Sequence, residues 1–293
     1  MKVLVIGGTR YFGKYTIEAL LKAGHLVTIA TRGNAADTFG DRVQRVKLDR
    51  TDAQSVKAAI GGRHFDVICD KIAYGSNDIR PVLDQVTCDR YIQMSTTSVY
   101  PHKRMQTPEE AYDPAKQKLC WCSRGDYDYG ETKRQAEAAL VQVYGEMPSV
   151  MVRYPFVIGE DDYSGRMLFY VRHVMEGKAM YIDNLHEQLG FSRSDEAGDF
   201  LAFLAEQTFT GPINGSAHGT ASVGEILDYV EKKTGKKAVL SPEGDPAPYN
   251  GETAYSIDTQ KAEALGYTFS NLHDWLPGLL DACIAQVRQE QEN

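Results

Sequence analysis

Tyr129 and Lys133, four residues apart in "YGETK", are residue types that can move a proton together. On a helix that spacing puts both side chains on one face. A free phenol ionises near pH ~10. A neighbouring ammonium favours the phenolate and lowers that value, which makes a base usable at neutral pH. Two other pairs share the spacing. Tyr112 and Lys116 have Pro114 between them, which spoils a helix interior. Tyr229 and Lys233 lie late in the chain, on a helix of the other half. A hydroxyl to orient the reacting oxygen is offered by "MSTTSVY", Ser95 to Tyr100, with Thr96 the first choice and Ser95 the second. The competing use of these hydroxyls is to satisfy turn backbone.

A second chemistry is written at the start of the chain. "GGTRYFG", Gly7 to Gly13, follows the apolar stretch "KVLVIG" and opens a helix. In that context a glycine turn and a helix N-terminus bring N–H groups against a pyrophosphate. Gly7 permits the tight turn and Gly13 lets helix and strand pack closely. The spacing Gly7-x-x-Arg10-x-x-Gly13 resembles that of short-chain dehydrogenase/reductases and implies a nicotinamide dinucleotide. The acid expected at the end of the second strand, to bind the adenosine ribose, is replaced by Thr31 and Arg32. Without that carboxylate, Arg10 and Arg32 can fork around a 2′-phosphate, so NADP is expected ahead of NAD. Solvation of both arginines, or stacking on adenine, is the alternative. Asp49, in "KLDRTD", ends the third strand, where it could accept from the adenine amino group or cap the helix near Asp52.

Alternating strands and helices must position these groups. "HLVTIAT", "RVQRVKL", "DVICD", "RYIQMST" and "SVMVRY" read as strands. Between them, Thr16–Leu21, "DAQSVKAAI" and "DIRPVLDQV" read as helices. The alternation predicts an α/β fold, a doubly wound parallel Rossmann sheet covered on both faces. The second half predicts helices near Met167–Glu176, Asp195–Gln207, Ser222–Thr234 and His273–Gln289. Short strands are expected at "AMYI", "GPING" and "KAVL", and a Pro/Gly-rich loop at Ser241–Gly251. The expected division is a dinucleotide-binding domain over 1–158 and a smaller C-terminal substrate lobe over 159–293, with some elements returning to the first.

The bulk numbers set limits. The chain has 293 residues and 42% hydrophobic content, enough for a sizeable core. A net charge of −8 argues against nucleic acid and anionic membrane as partners. The N-terminus is too short for a signal sequence, and no apolar run reaches spanning length. Five scattered cysteines do not make a disulfide framework, and a reducing cytoplasm is the expected compartment. "CWC" at Cys120–Cys122 has the wrong spacing for a zinc knuckle, so no metal is expected.

These motifs together resemble the extended short-chain dehydrogenase/reductases, the NAD(P)-dependent epimerase/dehydratase family typified by UDP-galactose 4-epimerase. The resemblance runs from "VLVIGGTRYFG" through "LDRTD", "MSTTSVYP", "YGETKRQAE" and "VRYPFVIG" to "RSDEAGDFLAFL" and "YSIDTQKAEALGY". It implies that Thr96, Tyr129 and Lys133 are catalytic, with Lys133 also reaching the cofactor ribose. It implies that Gly7, Thr9, Arg10, Tyr11, Phe12, Gly13, Asp49, Arg50, Lys71, Ile72, Ala73 and Tyr154 line the cofactor. It also implies a homodimer formed through two helices of each subunit. The chain departs from the pattern at Phe156, where nucleotide-sugar enzymes carry asparagine, and at Leu189, where they carry a diphosphate-binding arginine. Arg193 is the displaced candidate for that arginine, and Phe156, Tyr163 and Phe191 are candidates for a more apolar pocket.

The expected activity is therefore hydride transfer between a nicotinamide cofactor and a small carbinol or carbonyl, with Tyr129 as acid or base. An epimerase or dehydratase that recycles NAD uses the same trio. "GGTR" with "LDRTD" also resembles a subgroup that includes the chloroplast stem-loop RNA-binding proteins. That adds a reading of another class, a nucleotide-sensing or RNA-binding module.

Overall fold

The computed structural model describes residues 1–292. Seven parallel strands form the central sheet: β1 (Lys2–Ile6), β2 (Leu26–Thr31), β3 (Gln44–Lys47), β4 (His64–Asp70), β5 (Thr87–Thr96), β6 (Ser149–Tyr154) and β10 (Gly211–Asn214). Their order is β10-β6-β5-β4-β1-β2-β3. The sequence steps outward from β1 on each side, which is the doubly wound arrangement expected from the alternation.

Alternation along each strand decides what covers each face. Val3 and Val5 point to one side, with Val27, Ile29, Val67, Ile92 and Val152. There they meet α1 (Phe12–Lys22) and α6 (Ser194–Ala205) through Ile17, Leu20, Phe200 and Leu201. Leu4 and Ile6 point to the other, with Ala30, Ile68, Tyr91 and Met151. They meet α2 (Ala53–Ile60), α3 (Ser76–Leu83) and α4 (Tyr129–Gln142). Each such side chain taken from water contributes about 1.5–3 kcal/mol. A buried core on both faces accounts for the near-continuous apolar strands.

A third core belongs to the later residues. It gathers α5 (Arg166–Glu176), α7 (Val223–Thr234), α9 (Leu272–Glu292) and β8 (Ala179–Tyr181) around Tyr170, Val174, Met180, Val230 and Leu280. β8 pairs in parallel with β11 (Val239–Leu240) and β12 (Asp245–Pro246). The latter is a strand inside the stretch read from sequence as loop. β7 (Phe156–Ile158), pairing with β9 (Phe191–Arg193), and α8 (Gln260–Ala264) are also absent from the sequence reading. All are five residues or shorter, too brief for periodicity to register. No helix is long and apolar enough to cross a membrane among the described residues.

The register lines up what the chemistry needs. Ile6 pairs with Ala30 and with Asp70, and Thr96 pairs with Tyr154. The C-terminal ends of these strands thus form one edge, the place where open α/β sheets bind ligands.

Candidate active site

The turn after β1 is built for a close ligand. Gly7 and Gly8 have φ of +79° and +117°. A Cβ on Gly8 would lie 2.9 Å from Val5 Cγ1, and one on Gly13 would overlap Gly8 Cα and come within 2.5 Å of Lys71 Nζ. Gly8, passed over in the sequence reading, is as constrained as its neighbours. Tyr11 occupies the N-cap of α1 at φ +56°, no side chain caps the helix, and its first turn holds no acid. The positive end of the helix therefore faces outward unneutralised. In front of it lies a cleft of about 760 Å³. Bare backbone, an uncapped helix end and a cleft of this size fit a dinucleotide.

Of the residues expected to line a cofactor, Gly7, Thr9, Arg10, Tyr11, Phe12, Arg32, Asp49, Arg50, Lys71 and Ile72 border this cleft. Arg10 and Arg32 are exposed on it, and among the described residues neither forms an ion pair. Asp49 accepts from the Thr51 hydroxyl at 2.6 Å and the Thr51 N–H at 2.9 Å. These bonds, and Arg32 more weakly, hold its carboxyl below the usual range. The helix cap is Asp52, which accepts from the Gln54 N–H. Arg50 differs from expectation. Its guanidinium is buried, paired with Asp70 at 2.5 Å, and donates to the Asp78 carbonyl. It props the cleft floor, with its Nε 3.5 Å from Asp78 and without a hydrogen-bond partner among the described residues.

Gly13 sits behind the turn. Ala73 is fully buried and its carbonyl accepts from Lys133 Nζ at 2.9 Å, so it stands behind the cleft wall. Tyr154 is also displaced. Its hydroxyl donates to the Ala197 carbonyl at 2.7 Å, and its ring borders a second cleft instead.

That second cleft, of about 300 Å³, holds Thr96 and Tyr129. It meets the larger one at Tyr11, Phe12 and Met94, which border both. Tyr129 opens α4, whose N-cap Asp128 accepts from the Glu131 N–H at 2.9 Å. Ser95 is eliminated as the free hydroxyl because it donates to Glu137 at 2.5 Å. Thr96 lines the cleft but is not free either: it accepts from the Ser98 N–H at 3.2 Å and donates to the Ser98 hydroxyl at a longer 3.3 Å.

Lys133 is 1% exposed and donates to the carbonyls of Ala73 and of Met94, the latter at 2.5 Å. Burial lowers its pKa to about 8, with Glu137 opposing. The expectation that an ammonium lowers the Tyr129 pKa is not met in the free protein. The crowded cleft wall around the phenol raises its pKa and Thr96, Arg124 and Arg166 oppose this, although Tyr129 is 47% exposed to solvent, which limits the desolvation. The physical reason is direction: Lys133 points at backbone carbonyls, and the cations acting on the phenol are the two arginines.

One buried network holds these parts together. Arg153 and Glu137 are fully buried and bonded at 2.6 Å. Arg153 also donates to the Glu109 and Tyr112 carbonyls, and Glu137 receives Ser95. This locks α4 to the ends of β5 and β6. Such a pair specifies geometry more than it stabilises.

The smaller cleft contains residues that the sequence reading missed: Lys103, Arg166, Glu252 and Tyr255. Lys103 and Glu252 form an ion pair across 149 positions of sequence, so no local spacing could have shown it. Arg166, the first residue of α5, donates to Ser164 at 2.9 Å and to the Val157 carbonyl at 2.8 Å. Phe156 lines this cleft, whereas Tyr163 borders the larger one and Phe191 is fully buried behind them. Leu189 is core, and Arg193 is turned to Asp195 at 2.5 Å, so neither offers a cation here.

The other motifs have structural uses. Tyr229 and Lys233 both bind Asp281, on an exposed helix face. Tyr112 donates to the Arg134 carbonyl, and Lys116 pairs with Asp113 at the surface. All five cysteines are free thiols. The backbone of Cys120 and Cys122 receives Ser76 and Asn77, fastening the loop to α3.

A family model described as the NAD dependent epimerase/dehydratase family matches residues 3–214, a span that includes the glycine turn, Thr96, Tyr129 and Lys133. The chloroplast stem-loop binding protein of 41 kDa b from Arabidopsis thaliana is 31% identical over 134 residues. That match covers 39% of this chain and 34% of the relative, about a third of its length. Among solved structures, UDP-glucose 4-epimerase of Thermotoga maritima, solved with UDP-glucose, shares the fold with a TM-score of 0.73. The likeness covers 99% of this chain and 100% of that one at 16% identity. Vestitone reductase from alfalfa gives 0.69, covering 99% of each chain at 18% identity. With the turn, the sheet order and the match over most of its length in agreement, this chain belongs to the NAD-dependent epimerase/dehydratase family, a family of enzymes.

Proposed function

We propose that this protein is an oxidoreductase that transfers hydride between a nicotinamide dinucleotide, NADP ahead of NAD, and a small carbinol or carbonyl compound. The observation that carries the reading is the meeting of the two clefts at Tyr11, Phe12 and Met94, with Thr96 and Tyr129 beside the junction. The larger cleft holds the cofactor, which supplies the hydride acceptor or donor. The smaller holds the substrate, its reacting oxygen near Thr96 and Tyr129. Tyr129 is the proton donor or acceptor and Thr96 orients the oxygen. A phenol whose pKa is ~10 when free, and is not lowered here, is protonated at neutral pH, which suits donation to a carbonyl as it is reduced. Lys133 is 1% exposed and lines neither cleft, so its one donor beyond Ala73 and Met94 would meet a ribose hydroxyl only if the side chain moves toward the cleft. Arg10 and Arg32 receive the 2′-phosphate.

Two tests decide it. Mass spectrometry of nucleotide retained by the purified protein identifies the cofactor. Tyr129→Phe then lowers kcat by about 10²–10⁴-fold with cofactor affinity unchanged; unchanged turnover removes the proton-transfer role.

A second reading, an epimerase or dehydratase that recycles NAD, is favoured by the fold shared with UDP-glucose 4-epimerase. Leu189 in the core and Arg193 on Asp195 leave it without the usual diphosphate grip of nucleotide-sugar enzymes. Tightly retained NAD that never leaves as reduced cofactor selects this reading. The stem-loop binding relative raises RNA binding, against which the net charge of −8 stands. Salt-sensitive RNA binding with no cofactor-linked turnover selects that one.

A further inference from the structure

We infer that the Lys71 side chain is a binding residue for the diphosphate of the dinucleotide, acting with the N-terminus of α1. This rests on the cofactor reading above.

The molecule contains several buried cations, and almost all are satisfied. Arg50 has Asp70 and Asp78; Arg153 has Glu137 and two carbonyls. Arg90 donates to the Leu204 and Phe209 carbonyls, and Lys133 to those of Ala73 and Met94. Lys71 is the exception. It is 6% exposed, and its ammonium has neither a carboxylate within ion-pair distance nor a carbonyl acceptor. Its close neighbours are the Phe12 ring, 3.8 Å from Nζ to the centroid, and Gly13, whose added Cβ would lie 2.5 Å away.

The ammonium thus rests against the first turn of α1, the end of a helix that repels a cation. A buried unpaired ammonium costs several kcal/mol, which favours its neutral form, and an unbranched apolar side chain would fill the space without that cost. The arrangement calls for a counter-anion that the chain does not provide. Asp161, from the segment between β7 and α5, faces Lys71 from beyond ion-pair distance; Lys14 lies 3.2 Å from its Oδ2 and Ser194 donates to its Oδ1 at 3.0 Å, while the buried Oδ2 has no hydrogen-bond partner among the described residues. Cys69, on β4, is pushed up to about 12 by burial and is neutral. The remaining charges around the cleft are the exposed Arg10 and Arg32, Arg124, the committed Arg50–Asp78 pair and Asp49 on Thr51. A diphosphate entering at the α1 N-terminus meets unsatisfied donors from both helix and lysine.

Linkage gives a distinctive signature. Burial holds the Lys71 pKa down to about 7 in the free protein, with Asp161 and Cys69 opposing. A bound diphosphate raises it. Near pH 7.5 the free side chain is largely neutral and the bound one is charged, so binding takes up protons.

The experiment is titration calorimetry of nucleotide-free protein with NAD⁺, NADP⁺ and adenosine at pH 7.5, in Pipes and in Tris. The two buffers differ in ionisation enthalpy and so reveal proton uptake. Wild type takes up a large fraction of a proton with either dinucleotide and none with adenosine. Lys71→Met binds both dinucleotides at least tenfold more weakly, without the uptake, and melts no lower than wild type. Binding of the dinucleotides by Lys71→Met with wild-type affinity overturns the role of Lys71 alone. Failure of wild type to bind either dinucleotide overturns the cofactor reading and this one with it.

Discussion

Arg10 replaces the middle glycine of the turn without disturbing it, because its side chain lies on the open side of the cleft. Glycine is needed at Gly7, Gly8 and Gly13, where φ or a close approach demands it. Position 10 carries no such demand, so it is free to contribute charge. Arg10→Gly is expected to lower NADP⁺ affinity about tenfold and leave NAD⁺ affinity unchanged, as one charge-assisted contact to the 2′-phosphate predicts. Calorimetry with both cofactors checks this, and an equal effect on both removes the clamp. Residue types and short spacings made Thr96, Tyr129, Lys133 and the turn legible from sequence. Direction was not legible. Ser95 and Thr96 are adjacent and chemically alike, yet one is spent on Glu137 and the other faces the smaller cleft.

At the scale of elements, α1 must be held firmly if its N-terminus is to bind anything. α6 does this from the second half of the chain. Gly198 in α6 lies where a Cβ would sit 2.5 Å from the Phe12 carbonyl oxygen and 2.6 Å from Tyr15 Cβ. The two helices touch there, just behind the turn. Gly198→Ala forces them apart and is expected to cost about 1–3 kcal/mol by overpacking. Chemical denaturation measures the loss, and dinucleotide affinity should fall with it because the first turn of α1 shifts. Stability within about 0.5 kcal/mol of wild type would show that the contact yields freely. Sequence patterning located α6 within a residue or two of its ends. It could not show which helix α6 meets, because a helix face names its own apolar residues and not their partners.

At the scale of the whole molecule, the chain does not separate into halves at the end of β7. α6 and β10 lie beyond residue 158, yet Phe200, Leu201, Leu204 and Ile213 complete the core on one face of the sheet. Asn214, at the end of β10, accepts from Tyr100 and donates to the Thr107 carbonyl. A fragment of residues 1–158 is therefore expected to lack a cooperative thermal transition, whereas the full chain shows one. Circular dichroism with temperature distinguishes them, and a cooperative fragment would make the first lobe independent. By itself the sequence determined the parallel α/β architecture and singled out the glycine turn and the candidate trio. Each depends on local rules: alternation along a strand, the freedom of glycine, four residues per helical step. Only the tertiary structure decided that Arg50 is spent on Asp70, that Lys133 faces carbonyls, that Lys103 meets Glu252 and that Lys71 rests on the Phe12 ring with no carboxylate or carbonyl bonded to it among the described residues. Burial and pairing are set by residues far apart in the chain, and desolvation acts on a group only once the fold has enclosed it.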